Sequence, residues 1–189
     1  MAATAARSQA CPPQPAGPSK SLTRPFRFCP WCGAPLTAPV GSRQDCSSCG
    51  EPSYLNPKAT VGAIVLDDSG RVLLGRRGVE PFLGFWDTLG GFVEPGESLE
   101  ECVRRELREE AAIEVAVGRL VLSVPDTYGP TGDATINTFY ECRLLSGEPR
   151  PDDDVAELRW FAPDELPAAD ELAFECVRAA LVVWRPLPG

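Results

Sequence analysis

Two short apolar runs, Val61–Leu66 and Arg71–Arg76, are separated by Asp67-Asp68-Ser69-Gly70. Strand-like runs around an Asp- and Gly-containing turn predict a β-hairpin. A glycine-rich stretch from Phe85 to Gly96 follows, and then the periodicity becomes helical. Ser98 is placed to cap that helix, with Glu101 three residues on completing a capping box and Pro95-Gly96 breaking the chain just before. Beyond the helix, Val115–Val124, Thr135–Leu145 and Leu158–Phe161 read as strands, and about Asp170 to Trp184 as an amphipathic helix. Strands mixed with two helices predict an α/β sandwich with a mixed sheet rather than a doubly wound fold.

The first helix carries charge where it should be apolar. At about 100° per residue, Cys102, Val103 and Leu107 share one stripe with Leu99, and Glu106 and Glu110 fall in its middle with Glu109 at its edge. Carboxylates that project from a buried stripe are costly unless something positive compensates them. Two compensations qualify: an ion-pair cluster with Arg105 or another arginine, or a divalent cation. Three glutamates within a turn and a half form a hard-oxygen donor set suited to Mg²⁺ or Mn²⁺.

The N-terminal part has a different composition. Residues 1–44 contain no Asp or Glu, so all 27 acidic side chains follow them. So acidic a body disfavours a nucleic-acid-binding surface, and no nucleic-acid partner is expected. Residues 1–25 are rich in Ala, Pro, Ser and Gln and read as a disordered tail. Their lack of acids and Arg7 are also features of an organelle transit peptide, which leaves cytoplasm and organellar matrix as the two expected locations. No apolar run reaches the roughly 20 residues of a membrane span.

Histidine is absent, which removes Ser-His-Asp and Cys-His nucleophile chemistry and any zinc site that needs imidazole. The eight cysteines include two C-x-x-C pairs, Cys29/Cys32 and Cys46/Cys49, each followed by a glycine. Four thiolates at this spacing suit a closed tetrahedral Zn²⁺ site, a zinc ribbon over residues 26–52 that the metal would stabilise. A redox pair or two disulfides are the alternatives; a redox motif needs no second matching pair, and no obvious helix follows the first. Cys11, Cys102, Cys142 and Cys176 are isolated and read as reduced thiols.

The segment from Gly91 to Ile113 resembles the Nudix box, G-x5-E-x7-R-E-U-x-E-E-x-G-U with U a bulky aliphatic residue. Gly91, Glu97, Arg105, Glu106, Leu107, Glu109, Glu110 and Ile113 fall on the pattern, and Ala112 stands where the box has its second glycine. The resemblance implies an α-β-α sandwich over residues 58–185 and Mg²⁺- or Mn²⁺-dependent hydrolysis of a nucleoside diphosphate linked to another group. It implies that Glu106, Glu109 and Glu110 hold the divalent ions with the carbonyl near Gly91. Glu97 and Arg105 would complete and orient the site. A further acidic ligand is expected from Asp152-Asp153-Asp154, with Asp154 first and Glu157 second; a solvated acidic turn is the alternative.

A four-cysteine module before such a domain is similar to NADH pyrophosphatases and to a shorter branch acting on ADP-ribose or FAD. The NADH branch carries a Ser-Gln-Pro-Trp-type signature after the box, where this chain reads Ser123-Val124-Pro125-Asp126-Thr127-Tyr128. The shorter branch is therefore the expectation, with NADH pyrophosphatase and a non-hydrolytic nucleotide sensor as alternatives. Phe85, Trp86, Tyr128 and Tyr140 are candidates to stack on a nucleobase, with core packing as their other role, and Arg76 and Arg77 are candidates for phosphate contact. The expected partner is a small nucleotide, with no membrane. Monomer and homodimer both stay open.

Overall fold

The computed structural model of the chain describes residues 24–130 and 132–184. Most of the expected tail, with Cys11, lies outside the described residues. A small antiparallel pair, β1 (Arg43–Asp45) and β2 (Pro52–Tyr54), accompanies the cysteine segment. Gln44 of β1 is buried and stitches this unit together. Its amide accepts from Phe26 N–H at 2.8 Å and donates to the carbonyls of Phe26 and Thr37 at 3.1 and 2.8 Å.

The remaining strands are β3 (Lys58–Leu66), β4 (Val72–Arg77), β5 (Trp86–Asp87), β6 (Glu114–Tyr128), β7 (Asp133–Ser146) and β8 (Val155–Phe161). Among the described residues they form one six-stranded sheet, ordered β5-β4-β3-β7-β6 with β8 also on β4. β3 and β7 run parallel and the other pairs antiparallel, so the sheet is mixed. The helices are α1 (Leu99–Ala111) and α2 (Glu175–Trp184).

The sandwich follows from side-chain alternation along the central strands. Val61, Ala63 and Val65 of β3 and Leu73 of β4 face α1, where they meet Cys102, Val103 and Leu107. Ile64, Val72 and Leu74 face the other way and meet Val177, Ala180, Leu181 and Trp184 of α2. Burial on both faces is why these strands read as unbroken apolar runs. Truncating one fully buried residue such as Leu107 to alanine would cost about 2–5 kcal/mol.

Ser98 caps α1 with the expected capping box. The helix ends on Ala112, whose φ of 55° is left-handed. That conformation explains the glycine of the box pattern; with alanine the turn survives at a cost of about 1–2 kcal/mol. Other boundaries move as well: β3 begins at Lys58, three residues early, and β7 runs from Asp133 to Ser146. β6 runs on through Pro125 to Tyr128, because β6 is an edge strand where a missing N–H is tolerated. β8 begins at Val155, three residues early, through the polar Glu157. The last helix starts at Glu175, after a 3-10 turn at Ala169–Glu171, because Leu172 bridges to Trp86 and Ala173 N–H bonds the Trp86 carbonyl at 2.9 Å.

Candidate active site and cysteine cluster

The sulfurs of Cys29, Cys32, Cys46 and Cys49 all lie within 4.8 Å of one another. The closest pairs, Cys29–Cys49 and Cys32–Cys46, are 3.7 and 3.6 Å apart. Zn–S bonds of about 2.3 Å would set tetrahedral sulfurs about 3.8 Å apart, so the four can hold such an ion. Backbone N–H groups of Cys49 and Ser48 face the Cys46 sulfur and lower its pKa to about 7. The Glu51 N–H does the same for Cys49, but burial and the neighbouring sulfurs outweigh it and lift that thiol to about 12. Once one thiolate has formed the cluster resists a second, a conflict that a dication would relieve. The N–H groups of Gly33 and Gly50 bond instead to the carbonyls of Cys29 and Cys46, each at 2.9 Å.

A second site forms where α1 meets the glycine-rich segment. That segment runs antiparallel along β3: Ala63 N–H bonds the Leu89 carbonyl at 2.8 Å and Val61 N–H bonds the Gly91 carbonyl at 2.9 Å. Gly90 and Gly91 are thereby pressed onto the glutamates of α1. Gly90 N–H donates to Oε2 of Glu110 at 2.8 Å. A β-carbon on Gly90 would strike the Val61 carbonyl at 2.2 Å, so only glycine permits this approach.

Arg105 gathers three carboxylates. Its guanidinium reaches Glu97 at 2.7 Å, Glu106 at 2.8 Å and Glu109 at 3.0 Å, and the Phe92 carbonyl at 3.1 Å. These hydrogen bonds pull Glu97 down to about 2. Glu106 is raised despite Arg105, chiefly by burial. Glu110 is different: it is 7% exposed, and among the described residues no cation pairs with it. Burial raises it well above the ordinary carboxylate range, opposed by the Gly90 N–H and reinforced by Asp154, Glu106 and Asp87.

The fourth acid arrives on a built turn. Asp152 N–H bonds the Glu110 carbonyl at 3.0 Å, and Gly78 N–H bonds the Asp154 carbonyl at 2.6 Å. The turn passes through Asp153 at a left-handed φ of 52° and sets Asp154 beside α1. Glu106, Glu110, Asp87 and Asp154 all line one cavity of about 430 Å³. Opposite charge enters it through Arg77, which pairs with Asp87 at 3.1 Å, bonds the Pro81 carbonyl at 2.7 Å, lies over the Phe174 ring at 5.2 Å and leaves Nη2 buried without a hydrogen-bond partner among the described residues. Burial lifts Asp87 to about 6 in spite of that arginine.

Residues 56–179 match the NUDIX domain family model. The chain belongs to the Nudix family. It is 36% identical over 145 residues to a protein of Stutzerimonas stutzeri (strain A1501) named NAD-capped RNA hydrolase NudC, over 75% of this chain and 50% of that protein. The chain spans about half the length of the curated relatives it matches. A Nudix hydrolase structure from Nitrosomonas europaea superposes with a TM-score of 0.70 at 28% identity, covering 82% of this chain and 88% of that one. A MutT Nudix hydrolase from Burkholderia pseudomallei does so with a TM-score of 0.59 at 33% identity, over 68% and 98% of the two chains.

The Nudix-box residues divide into two groups. Glu106, Glu110 and Gly91 reach the cavity, with Asp154 from the later turn. Glu97 and Glu109 stand outside it on Arg105, and among the described residues only the cysteines form a group of three or more whose ligand atoms lie within 4.8 Å of one another. Of the two compensations expected for the glutamates, the arginine cluster is present for Glu97, Glu106 and Glu109, and among the described residues no basic side chain reaches Glu110. The Gly91 carbonyl already accepts one hydrogen bond from Val61 and retains its second lone pair.

Two expected substrate contacts are corrected. Trp86 is 5% exposed and packs edge-on to Phe161 in the core under α2, because side chains alternate along β5 and the cavity side belongs to Asp87. Arg76 pairs in register with Trp86, lies over its ring at 4.6 Å and binds Glu157 at 3.1 Å, away from the cavity. The same ion pair accounts for Glu157. Tyr140 is buried against α1, and Phe85 packs on Phe82 outside the cavity. Arg77 and Tyr128 do line the cavity, as do three residues the sequence reading overlooked, Asp87, Asp126 and Phe174. Asp87 had a signal, an acid two residues before Leu89 and next to Trp86 in a buried stretch; Phe174 had none.

Among the described residues no helix is long and apolar enough to cross a membrane.

Proposed function

We propose that the chain hydrolyses the pyrophosphate of a nucleoside diphosphate-X, with Mg²⁺ or Mn²⁺ held by Glu106, Glu110 and Asp154, and Glu109 and the Gly91 carbonyl joining as Arg105 yields. The observation that carries this reading is Glu110, a buried acid to which, among the described residues, no cation pairs, beside a second acid, Asp154, that likewise has no cation partner among them. Such a pair is costly for the protein alone and suits a divalent ion. The bound ions would neutralise non-bridging phosphate oxygens and acidify the attacking water. The chain's own residues do the positioning. Arg105 fixes Glu106, the Gly90 N–H fixes Glu110, and Nη2 of Arg77 is a free donor for a phosphate oxygen. The four cysteines would hold a structural Zn²⁺ without taking part in the chemistry.

ADP-ribose- or FAD-like substrates are favoured by the absence of the NADH-type signature at Ser123–Tyr128. A second reading, the NAD pyrophosphate of a free dinucleotide or of a capped RNA, is favoured by the relative named NAD-capped RNA hydrolase, and it revises the expectation that no nucleic acid is involved. A non-hydrolytic sensor is disfavoured, because Glu97, Glu106, Glu109 and Glu110 are all retained.

The test is a panel of ADP-ribose, FAD, NADH, NAD-capped RNA and nucleoside triphosphates with Mg²⁺ or Mn²⁺, products resolved by chromatography. Nucleoside monophosphate and phospho-X are the expected products. Failure to cleave any member would overturn the hydrolase reading, and preference for capped RNA or NADH would select the second one.

A further inference from the structure

Asp126 is one of the cavity acids that take no part in the metal-binding reading. Asp126 stands near the end of β6, two residues before Tyr128, so the two side chains lie on the same face of the strand. Its orientation is fixed by two backbone N–H groups, and the Cys176 thiol also faces the carboxylate. Oδ1 accepts the Thr127 N–H at 2.8 Å, and Oδ2 accepts the N–H of Cys176, in the first turn of α2, at 3.0 Å. Each oxygen keeps further acceptor capacity. No basic side chain pairs with Asp126 among the described residues, so this carboxylate repels phosphate and attracts neutral donors.

Beside it the cavity wall is aromatic. Tyr128 lies against Phe174 with ring centres 5.9 Å apart and planes 24° from parallel, and Phe92 meets Tyr128 edge-on at 5.2 Å. The polar wall next to them is already satisfied: Thr60 donates to Asn137 Oδ1 at 2.6 Å, and Asn137 Nδ2 donates to Thr135 at 3.0 Å. A planar ring resting on the aromatic surface therefore meets Asp126 as an acceptor, and the Arg77 guanidinium, 5.2 Å from the centre of the Phe174 ring, as a donor.

We propose that Asp126 selects nucleotides whose base carries an exocyclic amino group. The inference rests on the reading of the cavity as a nucleotide site and adds what that site reads. Adenine and cytosine would donate to Asp126 from their amino edge. Hypoxanthine and uracil present a carbonyl there, and two acceptors would face each other.

The test is calorimetric binding of AMP, IMP, CMP and UMP to the full chain with Mg²⁺; monophosphates have no pyrophosphate to cleave. AMP should bind more tightly than IMP, and CMP than UMP, each by about 10- to 100-fold, as for a hydrogen bond to a charged group. Asp126→Asn should erase or invert both preferences, because the amide can donate to a carbonyl. Tyr128→Leu should weaken all four ligands alike. Equal binding of amino and oxo partners by the wild type, or binding of none, would overturn the proposal even if Asp126→Asn fails to fold for want of its bond to α2. Amino preference without cleavage of any panel substrate would sink the hydrolase reading alone. Cleavage without amino preference would sink this inference alone.

Discussion

Gly91 lies directly against the carboxylate of Glu106: a β-carbon at position 91 would stand 2.4 Å from Oε1 and 2.6 Å from Cδ. The glycine of the box is thus a matter of space for the acid, since φ at Gly91 is not left-handed. Gly91→Ala should displace Glu106 while the sheet and α1 persist. A misplacement of about 1 Å can cost 100-fold in rate, and a loss of that order is expected in kcat, with circular dichroism unchanged. A Gly91→Ala variant with wild-type turnover would show that the carboxylate has no fixed working position.

Asp154 and Asp152 share one turn but occupy different surroundings. Asp154 lines the cavity and raises the pKa of Glu110, whereas among the described residues the side chain of Asp152 bonds only the backbone of Asp153. Asp154→Asn should lower kcat by about 10–1,000-fold, or about 1.4–4 kcal/mol of transition-state stabilisation, and excess Mn²⁺ should restore part of it. Asp152→Asn should leave kcat near wild type. Equal small effects from both would reduce this run to an acidic turn.

The difference between these two acids shows what the sequence could convey. The placement of Glu106 and Glu110 was legible, because helical periodicity maps residue number onto a face. In the run 152–154 no periodicity applies, and which acid points inward depends on hydrogen bonds to Glu110 and Gly78 far away in the chain. Trp86 and Arg76 were misplaced for a related reason. A two-residue strand such as β5 is too short to reveal its register, so the alternation that sends Asp87 to the cavity and Trp86 to the core was not visible. The overall sandwich was readable, since both faces of β3 and β4 had to be covered. The extra length of β6 was not, because Pro125 and Asp126 look like a strand end unless the strand is known to lie at an edge.

Protonation of the buried acids should appear in stability. Burial raises Glu110 well above its ordinary 4.5 and Asp87 from 3.8 to about 6, so both hold their protons more tightly folded than unfolded. Their contribution is fully present below the ordinary carboxylate values and is lost as pH rises through the folded ones. Without added Mg²⁺ or Mn²⁺, Tm should therefore fall as pH rises from the ordinary carboxylate range through about 6, where Asp87 ionises, and on through the raised value of Glu110; Glu110→Gln should flatten the fall, and Mg²⁺ should raise Tm most at the upper end. A wild-type Tm that climbs across this window would contradict the assignment.

The cysteine cluster should carry one zinc per chain. Protein purified without chelator should give a 1:1 ratio by elemental analysis, and Cys46→Ser should lose the metal, whereas Cys102→Ser, Cys142→Ser and Cys176→Ser should retain it. Zinc removal should unfold the ribbon around Gln44 and expose it to protease. Metal-free wild-type protein, or loss of zinc on substitution of Cys102, would refute the ribbon.

The central claim is that Glu106 and Glu110 are unfavourable for the fold and retained for a catalytic metal. Turnover of the double variant Glu106→Gln/Glu110→Gln on the best panel substrate with saturating Mn²⁺, measured beside its Tm, tests it most directly. Near-complete loss of hydrolysis is expected, with Tm equal to or above that of the metal-free wild type. A well-folded double variant that turns over at the wild-type rate would contradict it.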